Sequence, residues 1–175
     1  GRMGLPMARR LCQAGYTVHA WNRSPDKALT LEASGAQAHA QVQDAVRQAE
    51  VVISLLESGP VVAHVLFELG AAQAMPKGCL MIDMASIKPA EARDHAARLQ
   101  ALGVSHLDAP VSGGTVGAEA GTLAIMAGGD AADFARAQAI LQVLGKATHV
   151  GPHGAGQLAK LANQMIVGAT IGIVA

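Results

Sequence analysis

Val51-Val-Ile-Ser-Leu-Leu56 and Leu80-Met-Ile-Asp83 are near-continuous apolar runs. A strand that alternates apolar and polar residues buries one face, whereas a continuous run buries both, which predicts a parallel sheet covered by helices on either side. Pro60 to Leu69, between the two runs, is spaced as a helix, so the unit is strand, helix, strand. The same unit repeats outward in both directions.

Downstream, Lys88 to Leu102 carries apolar positions at Ala92, Ala96 and Leu99 and predicts a helix, after which Val104 to Ala109 returns to the sheet. Leu123 to Ala127 is a further strand; Asp130 caps a helix striped by Phe134, Ala137, Leu141 and Leu144, and Ala147 to Val150 is the last strand. Upstream, Leu5, Ala8, Leu11 and Cys12 have helical spacing that ends at Gly15, and Thr17 to Trp21 reads as a short strand. Ser24-Pro25-Asp26 supplies an N-cap, an N1 proline and an acidic first turn for a helix closing near Gly35. The expectation is an α/β, doubly wound, mostly parallel, Rossmann-like domain over residues 1–152, followed by a helix from 153.

Composition narrows the function classes. The chain has 175 residues, 51% of them hydrophobic and only 2% aromatic, so aliphatic side chains and alanine must fill the core. Thirteen Lys plus Arg balance thirteen Asp plus Glu, which leaves no field for nucleic acid or an acidic membrane as a partner. Met165 to Ala175, the longest uncharged apolar run, is too short to span a bilayer and reads as a buried helix. Cys12 and Cys79 lack C-x-x-C spacing and read as free buried thiols of a cytoplasmic protein, and the scattered histidines suggest no metal site.

Three stretches carry candidate chemistry. Gly1-Arg2-Met3-Gly4 opens a helix, where glycine permits close backbone approach and the helix dipole favours a diphosphate. Asn22, Arg23 and Ser24 follow the next strand, about 20 residues on, where a dinucleotide fold touches the adenosine ribose; an arginine there suits a 2′-phosphate. The second stretch, Asp108 to Gly129, stops a strand at Asp108 and Pro110 and then sets the Ser112 hydroxyl beside the unobstructed backbone N–H groups of Gly113 and Gly114. A plain glycine-rich loop between strands and a cradle for a small anion both fit that composition. In the third, Gly156, Lys160, Asn163 and Gln164 share one face of a helix, a polar strip that faces either solvent or a ligand.

The order of these motifs, with Gly154-x-Gly-x-x-x-Lys160-x-x-Asn163 last, resembles the amino-terminal domain of the β-hydroxyacid dehydrogenases over essentially the whole chain. The resemblance implies an oxidoreductase that moves a hydride between NADP(H), or NAD(H), and a short 3-hydroxy acid or semialdehyde. It implies Lys160 as the general acid/base, Asn163 with Ser112, Gly113 and Gly114 as the grip on the substrate carboxylate, and Gly1, Arg2, Met3, Gly4, Asn22, Arg23, Ser24, Leu56 and Ser86 as cofactor contacts. Gln164, where many members have a second Asn, resembles the tartronate semialdehyde and glyoxylate reductase branch, with 3-hydroxyisobutyrate dehydrogenase activity as the alternative. Arg23 points to NADP. Ala85 departs from the family's usual Ser and removes one hydroxyl near the cofactor.

The family pattern also implies a first strand before Gly1, a helical domain after Ala175 that closes the site, and assembly into a homo-oligomer. Without that central strand two inner sheet edges would lack partners, and the isolated chain would be poorly stable or dependent on a swapped segment. A serine hydrolase is excluded because Pro110 stands where a nucleophile elbow needs glycine. A non-catalytic NADP-binding module is the reading from a different class; Lys160 argues against it, and against the imine reductases, which resemble the same fold.

Overall fold

The computed structural model describes residues 1–174. In chain order it comprises helix α1 (Gly4–Gln13), strand β1 (His19–Ala20), α2 (Pro25–Leu29), a 3₁₀ turn at Glu32–Ser34, β2 (Gln37–Ala38), α3 (Val42–Val46), β3 (Val51–Ser54) and α4 (Gly59–Ala63), which runs on as a π-helical turn, His64–Glu68. Then come α5 (Ala71–Ala74), β4 (Leu80–Asp83), α6 (Pro89–Ala101), β5 (Ser105–Asp108), β6 (Val111–Ser112), α7 (Gly114–Ala120), β7 (Leu123–Gly129), α8 (Ala131–Leu144), β8 (Gly145–Gly151) and α9 (Ala155–Val174).

Strands β3, β4 and β5 are parallel and in register, so that Ser54, Asp83 and Asp108 end neighbouring strands. Strand β7 runs antiparallel to both β5 and β6, and parallel to β8. Strand β4 is buried on both faces as its composition demands, whereas β3 is half-buried throughout because it borders a cavity. Leu80 and Ile82 face a core with Met7 and Leu11 of α1 and Leu141 and Leu144 of α8. Met81, between them, packs in a second core with Val62 of α4 and Ala92 and Leu99 of α6.

Strands β1 and β2 pair only with each other, parallel, as a separate two-stranded sheet. Between β1 and β3 lies a cavity of about 900 Å³ lined by Val18, Ala20, Val51 and Ile53 and floored by Leu5 and Met7 of α1. The two inner edges expected to lack a partner therefore border one slot. Nothing in the hydrogen-bond ladder joins the two sheets among the described residues.

Several details differ from the sequence expectation. The strand expected over Thr17 to Trp21 is two residues long, because only His19 and Ala20 find ladder partners. Asp130 occupies the N-cap of α8 and Ser24 that of α2, yet neither side chain makes a capping hydrogen bond. The glycine-rich loop after Ser112 is largely a helix, α7, whose glycines permit contact: a Cβ on Gly117 would press the Leu123 side chain at 3.2 Å. Cys12 is only half-buried, whereas Cys79 is buried; both are free. The described part of the apolar end of α9, up to residue 170, is exposed rather than buried, with Met165 and Ile166 75% and 68% exposed. Ala175, the last residue of that expected run, lies outside the described residues.

Candidate active site

The polar groups of the site stand where the parallel strands end, the usual place for ligands in open α/β sheets. Asn22, Arg23 and Ser24 follow β1, Leu56 follows β3, Ser86 follows β4, and Ser112 lies just beyond β5. Gly1, Gly4, Asn22 and Leu56 line the slot cavity together; Arg2, Met3, Arg23, Ser24 and Ser86 stand outside it. Arg2, Arg23, Ser24 and Ser86 are exposed and Met3 is half-buried. Asn22 Nδ2 donates to the Ser24 carbonyl at 2.9 Å and so orders the turn that presents Arg23.

Helix α1 has ten residues, no side-chain cap and no acidic residue in its first turn. A Cβ on Gly4 would meet nothing within 4 Å, so the space over the helix start is open. An open, positively polarised helix start beside a basic turn fits a dinucleotide phosphate.

On the other side, Asn163 Nδ2 donates to Ser112 Oγ at 3.4 Å, which joins the second and third motifs across 51 positions of chain. Gly113 (φ 134°) and Gly114 (φ 62°) both hold backbone conformations that an L side chain resists, immediately after that hydroxyl. Lys160 lies one turn before Asn163 on α9, half-buried, and burial lowers its ammonium below the ordinary lysine value.

The start of α9 is clamped by groups that sequence reading passed over. Asp108, fully buried, accepts from Gly154 N at 2.7 Å through Oδ1 and from Gln157 N at 3.0 Å through Oδ2. Its carboxylate thus caps a helix that begins some 46 residues later in the chain. Burial raises the Asp108 carboxyl, and the same two amides oppose that shift. Gln157, 1% exposed, donates through Nε2 to the Ala85 carbonyl at 2.9 Å and accepts from Ile87 N at 3.0 Å. Its side chain therefore grips the backbone on both sides of Ser86.

Next to this clamp, Ser54 Oγ donates to Asp83 Oδ1 at 2.6 Å, and the Ala85 amide donates to the same oxygen at 3.1 Å. Burial pushes the Asp83 carboxyl up to about 6 despite both bonds, with the neighbouring Asp108 adding to the shift. Its other oxygen, Oδ2, has no partner. The one signal available for Gln157 was its place between Gly156 and Lys160, in a strip that solvent could equally have explained.

Among the described residues no cluster of three metal-ligating side chains occurs, and no helix is long and apolar enough to cross a membrane. Residues 1–152 match the model of the NAD binding domain of 6-phosphogluconate dehydrogenase. Over 175 residues the chain is 42% identical to a 2-hydroxy-3-oxopropionate reductase of Escherichia coli, covering 98% of this chain and 59% of the relative. It is also 42% identical over 170 residues to a 3-hydroxyisobutyrate dehydrogenase of Pseudomonas aeruginosa, with 96% and 57% covered. A solved structure of the Mycobacterium tuberculosis 3-hydroxyisobutyrate dehydrogenase with L-serine superposes with a TM-score of 0.92 at 38% identity, covering 95% of this chain and 57% of that one. The chain thus spans under two thirds of these relatives, with their amino-terminal fold, and it belongs to the family of the 6-phosphogluconate dehydrogenase NAD-binding domain, among the β-hydroxyacid dehydrogenases.

Proposed function

We propose that this chain supplies the cofactor cleft, the proton donor and the carboxylate grip of an NADPH-dependent reductase of short semialdehyde acids, of the tartronate semialdehyde type. The observation that carries the reading is the meeting of Ser112 and Asn163 beside the half-buried Lys160, because it gathers a carboxylate grip and an acid from segments far apart in sequence. The bound nicotinamide would supply the hydride. Ser112 Oγ, the amides of Gly113 and Gly114 and the Asn163 amide donate hydrogen bonds to the substrate carboxylate and so fix the aldehyde carbon. As hydride reaches that carbon, charge grows on the aldehyde oxygen and Lys160 Nζ gives it a proton; oxidation returns the proton to Lys160. A lysine lowered by burial exchanges that proton more readily than a guanidinium would.

The relatives are longer than this chain, so turnover belongs to the whole protein, which we read as a cytoplasmic homo-oligomer. Arg23, exposed and presented by the Asn22 turn, favours NADPH over NADH by pairing with the 2′-phosphate. The test is Lys160→Ala in the whole protein, assayed with NADPH against tartronate semialdehyde, methylmalonate semialdehyde and glyoxylate. The expected loss in kcat is on the order of 10³-fold, the range of general acid catalysis, with NADPH affinity kept. Turnover close to the parent's would remove Lys160 from the chemistry, and no turnover by the parent with any of the three would favour a non-catalytic NADP-binding module.

A further inference from the structure

We infer that Gln157 is a positioning residue that sets the distance between the nicotinamide-side loop at Ser86 and the proton donor Lys160; this rests on the function proposed above. Three elements meet in this one side chain and its own amide. Through Oε1 and Nε2 it holds Ile87 N and the Ala85 carbonyl, the two backbone groups that flank Ser86. Through its backbone N–H it is fixed to Asp108 at the end of β5. It then lies three residues before Lys160, so any slide or roll of the helix start is passed directly to Nζ.

The packing leaves α9 little freedom to compensate. A Cβ on Gly156 would run into the carbonyl oxygens of Asp108 and Met126, so the helix start sits against the strand backbones at the closest approach that glycine permits. The loop that carries Ser86 is seated by the buried Ala85 and Ile87, while Ser86 itself is exposed and Gln157 hydrogen-bonds the peptides on both sides of it to α9. Removing the amide would leave the helix seated and let the peptides flanking Ser86 shift. The hydride arrives from the loop side and the proton from the helix side, so that shift would separate the two transfers.

A staple with only a structural purpose and a positioning residue make different predictions. The experiment compares Gln157→Met, equal in length and without hydrogen bonds, with Gln157→Glu, which keeps an acceptor for Ile87 N but has no donor for the Ala85 carbonyl. Both are made in the whole protein and assayed with NADPH carrying hydrogen or deuterium at the transferred position. The expected result for Gln157→Met is a fall in kcat on the order of 10- to 100-fold, as for a misplacement of about 1 Å. NADPH affinity stays within about threefold of the parent's and the deuterium isotope effect on kcat rises as hydride transfer becomes limiting. Gln157→Glu falls between parent and Met variant.

A folded Met variant with unchanged kcat and isotope effect overturns the proposal. Loss of kcat in proportion to a lost folded fraction, at constant isotope effect, also overturns it in favour of a structural staple. Should the Met variant not fold, the Glu variant decides by the same criteria. A parent protein that binds NADPH and reduces no semialdehyde overturns the functional reading, and this inference with it, before any variant is compared.

Discussion

The two halves of the molecule are held together by different means. From β3 to β8 the sheet is a continuous hydrogen-bonded ladder, and the residues assigned to substrate and proton transfer all hang from its strand ends or from α9. The β1–β2 pair, whose first strand leads into the turn at Arg23, shares no ladder with that sheet and faces it across the slot. Helix α1 is fixed not by β1 but by the other half: Arg10 donates through Nε to the Val143 carbonyl at 3.0 Å and through its guanidinium to the Glu119 carbonyl at 3.1 Å. The glycine start of α1 is therefore registered to the laddered half, and the turn at Arg23 to a separate small sheet. The laddered half carries its own hydrogen-bonded support, whereas the β1–β2 pair meets it only across the slot.

The comparison would break first at Gly156. A methyl there must displace two backbone carbonyls as well as the Asp108 carboxylate, so Gly156→Ala should destabilise the chain by about 3 kcal/mol, the upper end of overpacking effects. Urea unfolding monitored by far-ultraviolet circular dichroism measures this. Trp21, the sole tryptophan, borders the slot, and its fluorescence reports the other half in the same titration. An unaltered midpoint would mean that α9 is not pressed on the sheet as described.

Legibility in the sequence followed the same division. Val51 to Leu56 and Leu80 to Asp83 announce parallel strands because burial on both faces leaves only apolar residues; both strands pair in parallel, but the first ends at Ser54 and is half-buried where it borders the slot. β1 and β2 have two residues each and side chains with no periodicity, so Gln37–Ala38 carried no signal at all. Helix α7 was hidden because Gly114-Thr-Val-Gly-Ala-Glu-Ala has poor helix propensity; its glycines serve contact with Leu123 and a left-handed stop at Gly121, both tertiary demands. Ser112 and Asn163 could be listed from sequence but not joined, since their contact depends on the fold. Gln157 was invisible for a related reason: a buried amide and a solvent-facing one look alike in a polar strip.

An intermediate effect separates the halves by pH. Two strongly shifted groups, His106 and Asp83, are buried in the laddered half. Burial, helped by the neighbouring His153, pushes His106 down to about 3, and neither of its ring nitrogens has a partner. The unfolded chain binds that proton near the ordinary histidine value, so the stability His106 permits is complete above that value and is lost as pH falls toward about 3. Asp83, raised to about 6, acts oppositely: its protonated form favours the fold at low pH, and that contribution is lost as pH rises through about 6. Between about pH 6 and 4 the two slopes are opposite and nearly cancel, so in the parent Asp83 masks His106. Asp83→Asn should therefore make the melting temperature fall as pH drops through that window, and His106→Leu should make it rise. A melting temperature of the Asp83→Asn variant that is independent of pH over this window would contradict the buried, unpartnered state of His106.

The smallest effect on stability is expected at Gly4, and it sharpens the comparison most. Gly4 and Gly156 each close a glycine pair at a helix start, yet only Gly156 has backbone in the way of a Cβ. If Gly4 served packing, a methyl would be felt by the fold; with nothing within 4 Å, it can be felt only by a ligand. Gly4→Ala should therefore change unfolding free energy by less than about 1 kcal/mol, in the stabilising direction, because alanine restricts the unfolded chain and suits a helix. The same methyl would stand where a diphosphate must approach the first-turn amides, so NADPH affinity of the whole protein should weaken on the order of tenfold. Titration of NADPH fluorescence against parent and variant, beside their urea curves, separates the two quantities. Weaker binding at unchanged stability assigns the start of α1 to the cofactor; unchanged binding would leave it a helix that merely begins with glycine, and the cofactor side of the site would have to be sought elsewhere along the strand ends.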